Sequence, residues 1–409
     1  MLAHSPPFPL IINHDNNNHD LTPEDEGGIM FALEHRDHVR CIYLEMPVPS
    51  LQKLIKAIDD HFPMLEYLYI SPPSMHTARL VLPATFRAPQ LSYLMLSHID
   101  SPIGSPLLTT AVGLVRLSLG WIHPSTNLCP NHLLQALSLL PQLEALVISF
   151  SSPIPTREIE GYMLHMPIVT HTTLPNLRSF GFGGVSAYLE ALLSNMDTPL
   201  LETLGVSFFN QLSFSIPYLR KFVTTTENLR SSRVKFLFYR DVVSMFMYLS
   251  LSTVSFTFYI RVGCNHLDWQ VSSMEQIFNV LSPLCSAVVD LTLDYGSHTL
   301  SSEGHDQADR THWRKLLGSF RNVEILRVHD GLVGELSRCL ALDGEPPSEI
   351  LPELKTLVCP VGSRDAKAFA TLVDDREVAG LPVDLIEDVF PAGKAEYEFG
   401  SPAGVDYVS

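Results

Sequence analysis

Residues whose types and spacing could do chemistry are few and scattered. His35-x-x-His38 lies beside Glu34 and Asp37, a set that could hold a metal ion. Four polar residues between a helix and a strand read more simply as a solvated helix end. His298, His305 and His312 recur every seven residues, but the segment around His305 reads as loop rather than helix. The glycine-rich run from Gly181 to Val185 lacks both the lysine and the spacing of a phosphate-binding loop. It is expected to ease a turn after a Phe180–Phe182 strand. No nucleophile elbow, H-E-x-x-H helix or Walker loop occurs, and no two acids stand out as a general acid and base. The chain is therefore read as a non-enzyme, with no catalytic or metal residues and no cofactor.

The elements that would position such residues must be inferred from pattern. Of 409 residues 46% are hydrophobic, ample for a large core, and only 17% are charged, against about 25% in ordinary soluble domains. The net charge of −17 argues against nucleic acid as the main partner, since phosphate binding needs clustered Lys and Arg. Residues 1–60 hold ten acids and four bases, and 340–409 hold fourteen and five, so the acidic excess sits at the ends. The six cysteines are far apart, with no C-x-x-C pair, and most fall in apolar runs where a buried free thiol is expected. With no sequon and no basic, apolar leader, the sequence suggests a reducing, intracellular location, cytoplasmic or nuclear. Residues 242–260 carry no charge over nineteen positions. From Val254 onward, however, they alternate with a period of two, which favours a strand over a membrane span.

One short phrase recurs along the chain: often a proline, then an apolar residue, two variable positions, an apolar, one variable, an apolar. Clear copies are Pro63-Met64-Leu65-Glu66-Tyr67-Leu68-Tyr69-Ile70 and Pro89-Gln90-Leu91-Ser92-Tyr93-Leu94-Met95-Leu96. Others start at Val39, Leu114, Leu143, Leu177, Leu201, Val288, Val323 and Leu354. The gap from 201 to 288 has room for two more units, with strand candidates at Val234–Phe238 and Val254–Ile260, and Pro382-Val383-Asp384-Leu385 could close the array. Apolar residues two apart face the same side of a strand, so stacked copies make a parallel sheet over one hydrophobic column. Between the phrases lie amphipathic helical stretches at 51–62, 132–140, 186–195, 311–320, 332–341 and 363–374. Thr22-Pro23-Glu24-Asp25 is a helix start, and Ser272-x-x-Glu275 reads as a capping box. The fold class expected is α/β: a solenoid of roughly 11–12 irregular repeats, parallel strands inside and helices outside.

These phrases resemble leucine-rich repeats, and more specifically the irregular repeat region of fungal F-box proteins. The stretches that carry the resemblance include "PMLEYLYI", "PQLEALVISF", "PNLRSFGF" and "LTPEDEGGIMFALEHRDHVRCIYLEMP", within residues 9–385. Two features depart from the pattern. Regular repeats place an Asn eight residues after the first leucine, where its amide bonds the neighbouring backbone. Here those positions hold Pro73, Ile99, Ser151, Val185, Phe209, Gly296 and Gly331, so each turn must be satisfied individually. The F-box itself, a set of short helices ahead of the repeats, is also not found.

The resemblance implies a protein-interaction module like the substrate-recognition part of a ubiquitin-ligase receptor. Its partner is expected to be a protein target, with the ligase adaptor engaged only if an F-box lies upstream, and neither nucleic acid nor membrane bound. An orphan repeat scaffold with no ligase role and, more remotely, an enzyme on the same fold are the competing readings. Binding would use the concave sheet face, at variable positions of the phrase: Tyr67, Tyr69, Tyr93, Met95, Arg116, Glu144 and Arg327, with Glu66, Glu202, Asp290 and Glu324 beside them. Residues 1–20 are expected to be polar and loose, 21–388 to form the solenoid, and 389–409 to be a disordered acidic tail.

Overall fold

Each repeat begins with a tight turn whose geometry explains the raised proline content. In a computed structural model of the chain, the amide of the first apolar residue of a phrase donates to the carbonyl three residues earlier. Leu91 bonds Ala88 at 3.1 Å, Leu143 bonds Leu140 at 3.2 Å and Leu354 bonds Leu351 at 3.1 Å. Pro89, Pro141 and Pro352 each hold the second position of such a turn, where the ring's fixed φ is already correct and no amide is needed. The next residues join the strands in a ladder: Glu66 N bonds Arg40 O at 2.9 Å, and Ser92 N bonds Glu66 O at 2.9 Å. These turns are thus each closed by backbone, and two are also tied to the neighbouring turn by an asparagine amide, Asn176 Nδ2 donating to Pro141 O at 3.0 Å and Asn322 Nδ2 to Ser286 O at 2.7 Å.

The structure describes residues 8–15, 21–73, 80–100, 105–123, 128–152, 169–211, 213–248, 256–296, 309–340, 350–360 and 369–388. The expected tail at 389–409 lies outside them. The chain divides into two compact units, Met1–Leu201 and Glu202–Ser409.

In the first unit seven strands lie side by side, all parallel: β1 (Leu10–Asp15), β2 (Val39–Glu45), β3 (Tyr67–Ser71), β4 (Tyr93–Ser97), β5 (Arg116–Ile122), β6 (Ala145–Phe150) and β7 (Ser179–Gly184). Ile12, Ile42, Leu68, Leu94, Leu117, Leu146 and Phe180 stand opposite one another in register and are all buried. That row is the hydrophobic column expected of a leucine-rich repeat solenoid. Helices α1 (Pro23–Glu34), α2 (Val48–Ala57), α3 (Pro106–Thr110), α4 (Pro130–Leu137) and α5 (Ser186–Leu193) connect the strands. Thr22 caps α1 as expected: Asp25 N donates to Thr22 Oγ1 at 3.1 Å, and Thr22 N donates to Asp25 Oδ2 at 3.1 Å.

Two expectations for this unit need correction. Part of the segment expected to be loose, residues 10–15, is strand β1, because Ile12 fits the same buried row as Ile42. The glycines at 181–184 belong to strand β7 rather than a turn. A Cβ on Gly183 would come within 2.6 Å of Ser149 Oγ, so the position needs glycine for close approach to β6.

The second unit departs from the expected all-parallel order. Its strands are β8 (Thr203–Phe208), β9 (Arg233–Phe238), β10 (Val242–Tyr248), β11 (Phe256–Gly263), β12 (Asp290–Tyr295), β13 (Ile325–Val328), β14 (Thr356–Pro360) and β15 (Asp384–Asp388). In space they run β8, β11, β10, β9, β12, β13, β14, β15. The chain leaves β8, passes through helix α6 (Pro217–Thr225), lays down β9, and returns through β10 and β11 to fill the intervening places. β10 pairs antiparallel with both β9 and β11, while β8–β11 and β9–β12 remain parallel. The physical reason is the short link 239–241, closed by Tyr239 N bonding Val242 O at 2.8 Å, which permits only an antiparallel return. The gap thus holds three strands where two were expected, and the uncharged stretch at 242–260 supplies two of them. Among the described residues no helix is long and apolar enough to cross a membrane.

Helices α7 (Leu267–Val280), α8 (Ser282–Cys285), α9 (Arg310–Gly318), α10 (Asp330–Leu340) and α11 (Ala370–Val378) complete this unit. Ser272 is no helix cap: it lies inside α7, which opens five residues earlier at Leu267. The pattern Asp384–Leu385 does close the array, as β15.

Candidate functional site

Alternation along the strands sends one set of side chains into the core and leaves the other on the open sheet face. In the first unit, two open-face rows contain five of the seven expected binding residues. One row runs Cys41, Tyr67, Tyr93, Arg116 and Ala145; the next runs Tyr43, Tyr69, Met95, Ser118 and Val147. Parallel strands in register hold identical positions about 4.8 Å apart, close to the spacing of stacked rings. Tyr67 and Tyr93 accordingly stack at 4.4 Å between centroids with planes 12° apart. Tyr69 stacks on Tyr43 at 4.3 Å and 6°. Tyr93 Oη donates to Met95 Sδ at 3.8 Å, tying the two rows together. The Tyr67 phenol is held well above the usual tyrosine range, chiefly by burial and then by Tyr93.

Arg116 is exposed beside Tyr93. Glu144 lies just before β6, its amide bonded to Val115 O at 2.8 Å and its carbonyl accepting from Arg178 N at 2.8 Å. Glu66 pairs with Arg40 at 2.8 Å. At the other end of the strands, Asp15 and Glu45 face each other in register. Burial first, and Asp15 second, push the Glu45 carboxyl up, while a bond from the Tyr43 hydroxyl lowers it.

Beyond β4 and within β5 stands a further ring pair. His98 and Trp121 stack at 5.3 Å with planes 5° apart, each five residues past one of the register partners Tyr93 and Arg116. Both have left-handed backbones, φ 55° and 54°, which non-glycine residues seldom adopt. The register between β5 and β6 shifts between Leu119 and Ile122, around Trp121, and the sequence offered no sign of this irregularity. Tyr43, by contrast, was legible: it holds the same position in its phrase as Tyr69 does.

Arg327 belongs to the second unit, where its Nε meets Asp290 Oδ1 at 3.2 Å. Nearby, Asp294 receives Lys235 Nζ at 2.6 Å and His329 Nδ1 at 3.1 Å. On β10 and β11 the rings of Phe246, Phe256 and Tyr259 cluster, with Phe256 edge-on to Tyr259 at 4.9 Å. Trp313 is core, whereas Trp121 and Trp269 are exposed.

None of the histidine patterns belongs to a metal cluster among the described residues. His38 closes a single 3-10 turn, His312 sits 3.5 Å from Glu275 between helices, and His298 and His305 lie outside the described residues. Among the described residues, no three His, Cys, Asp or Glu side chains come together as a metal cluster.

No family model matches the chain, and no curated protein matches it significantly. Among solved structures it is similar to the leucine-rich repeat-containing protein LegL7 from Legionella pneumophila, at 12% identity and a TM-score of 0.30. That match covers 88% of this chain and 96% of the other.

Proposed function

We propose that this protein is a non-catalytic binding scaffold that holds another protein on its open sheet face. The observation that carries the reading is the pair of tyrosine stacks, Tyr43–Tyr69 and Tyr67–Tyr93, half-buried yet on the face away from the core. Stacked in register, the rings are already ordered, so a partner loses little side-chain entropy in docking against them. The rings sit among Met95, Arg116 and Glu66, the mixture of aromatic, flexible and charged groups that marks interface centres.

Within that reading, the resemblance of the repeats to those of fungal F-box proteins supports substrate recognition for a ubiquitin ligase. The decisive experiment compares the proteins retained from its own cell lysate by the immobilised chain and by a Tyr67→Ser/Tyr93→Ser variant of unchanged circular dichroism. Loss of specific partners in the variant is the expected result. An unchanged set of partners would overturn the assignment of the face. Co-purification of a cullin adaptor with the chain would support the ligase role, and its absence from every specific complex would remove it.

A further inference from the structure

The edge strands of the two units meet solvent in different ways. Among the described residues β1 pairs only with β2, and β15 only with β14, so each leaves one row of backbone groups without a strand partner. An open edge invites pairing with another chain, and folded proteins commonly guard it with charge. β15 is guarded: Asp384, Glu387 and Asp388 make up three of its five residues, and all are exposed. β1 is not. Leu10 to His14 include no acid, lysine or arginine, and the one acid, Asp15, stands at the far end. Ile12 lies in the buried row, while Ile11 and Asn13 point outward. Ile11 is 69% exposed, as is Phe8 just before the strand, and Phe31 of α1, the helix that follows, is 52% exposed. Large apolar side chains left uncovered around one unguarded edge mark a surface that another element covers.

The sequence of β1 suits pairing with itself. Residues directly opposite in an antiparallel pair share a face. With Ile12 on a two-fold axis, Ile12 meets Ile12 of the second copy, Ile11 meets its Asn13, and Leu10 meets its His14. No acid then opposes an acid, and the buried row of Ile12, Ile42 and Leu68 continues into the second copy. The same operation on β15, centred on Ile386, would set Asp384 against Asp388 twice. Charge therefore favours β1 and disfavours β15 as a self-pairing edge.

We propose that the protein forms a two-fold dimer in which β1 pairs antiparallel with β1 of a second copy. One surface serves both chains, so the assembly closes at two. The pairing supplies partners for the edge backbone and lays Asn13 of each copy against Ile11 of the other. It uses the sheet edge and not the rings of Tyr67, Tyr69 and Tyr93, so it is independent of the function proposed for the open face.

The test is sedimentation equilibrium of the full chain at micromolar concentrations, with hydrogen exchange read at the amides of residues 10–14. A monomer–dimer equilibrium is expected, with exchange at those amides slowing as the chain is concentrated. Ile11→Lys/Asn13→Lys sets like charges directly opposite one another, at two exposed positions that point away from the core. It is expected to weaken the dimer by about tenfold or more. Ile11→Lys/Asn13→Glu sets opposite charges there instead and is expected to keep the dimer. Ile386→Lys, on β15, is expected to leave it unchanged. A chain that stays monomeric throughout overturns the proposal, as does a dimer that the Lys/Lys variant leaves intact. Equal losses in the Lys/Lys and Lys/Glu variants overturn the register and the proposal with it. Loss of the dimer in Ile386→Lys would move the interface to β15 and overturn it too. Should the Lys/Lys variant fail to fold, exchange in the unaltered chain decides: rates at residues 10–14 that ignore concentration overturn the proposal.

Discussion

The ring of Tyr259 lies against the backbone of Gly205, its register partner on the neighbouring strand. A Cβ at position 205 would stand 2.1 Å from Tyr259 Cε1 and 2.2 Å from Cζ, closer than any real contact. Glycine here is a packing requirement, not a turn. It lets an aromatic ring cross the sheet where β11 has been inserted beside β8.

Gly205→Ala is therefore expected to destabilise the protein by about 1–3 kcal/mol, because the ring must leave its place against Phe246 and Phe256. The loss should shrink to near zero in a Tyr259→Ser background. A double-mutant cycle by urea unfolding checks both statements, and additive losses would show that the ring is not what the new methyl meets.

Substitutions on the two sides of β3 should separate sharply. Leu68 is fully buried in the core row, so Leu68→Ala should cost roughly 2–5 kcal/mol. Tyr69 is half-buried on the open face, and Tyr69→Ser should cost about 1 kcal/mol, the worth of one ring pair. Comparable losses at both positions would contradict the assignment of faces.

Arg376 on α11 is almost completely buried, and its guanidinium donates to the carbonyls of Ile350, Leu351 and Pro352 at 3.3–3.4 Å. It holds the turn at Leu351, whose φ is +49°. Arg376→Met preserves the stem but removes those bonds, at an expected loss of about 1–3 kcal/mol. Hydrogen exchange at Leu354 N, which bonds Leu351 O, should accelerate in the variant. Unchanged protection there would show that the guanidinium does not hold the turn.

Burial pushes the thiols of Cys264, Cys285 and Cys339 up to about 12. At pH 8 they should resist alkylation by iodoacetamide until the chain is unfolded, because the thiolate is the reactive form. The sign for stability follows from the same shift. These groups contribute fully below the unfolded thiol value near 8.5, and the contribution fades as pH rises toward 12. The raised phenols of Tyr188 and Tyr259 act in the same direction above about pH 10. A urea midpoint that falls steadily from pH 8 to pH 11 is expected, and a flat profile would contradict the burial of these groups.

What the sequence determined by itself is local. Period-two alternation names the inward and outward residues of each strand. A proline at the second position of a four-residue turn marks where many of the repeats begin, and Thr22 with Asp25 marks the start of α1. Such signals need only neighbours within a few positions, so the parallel strand-and-helix repeats of the first unit and the tyrosines of their open face are legible in the order of residues alone. Tertiary structure decided which strands are neighbours. Nothing local distinguishes a strand that stacks in order from one that returns: β11 was legible as a strand by its alternation, but β10 was not, and the short link at 239–241 sets β10 antiparallel between β9 and β11. The same holds for β1, which carries no copy of the phrase and takes its place only because Ile12 meets Ile42. The Asp15–Glu45 pair, the stacking of Tyr43 on Tyr69 and the seat of Tyr259 over Gly205 all depend on register. Register is set by burying the core row as a whole, which is a property of the assembled sheet and of no single segment.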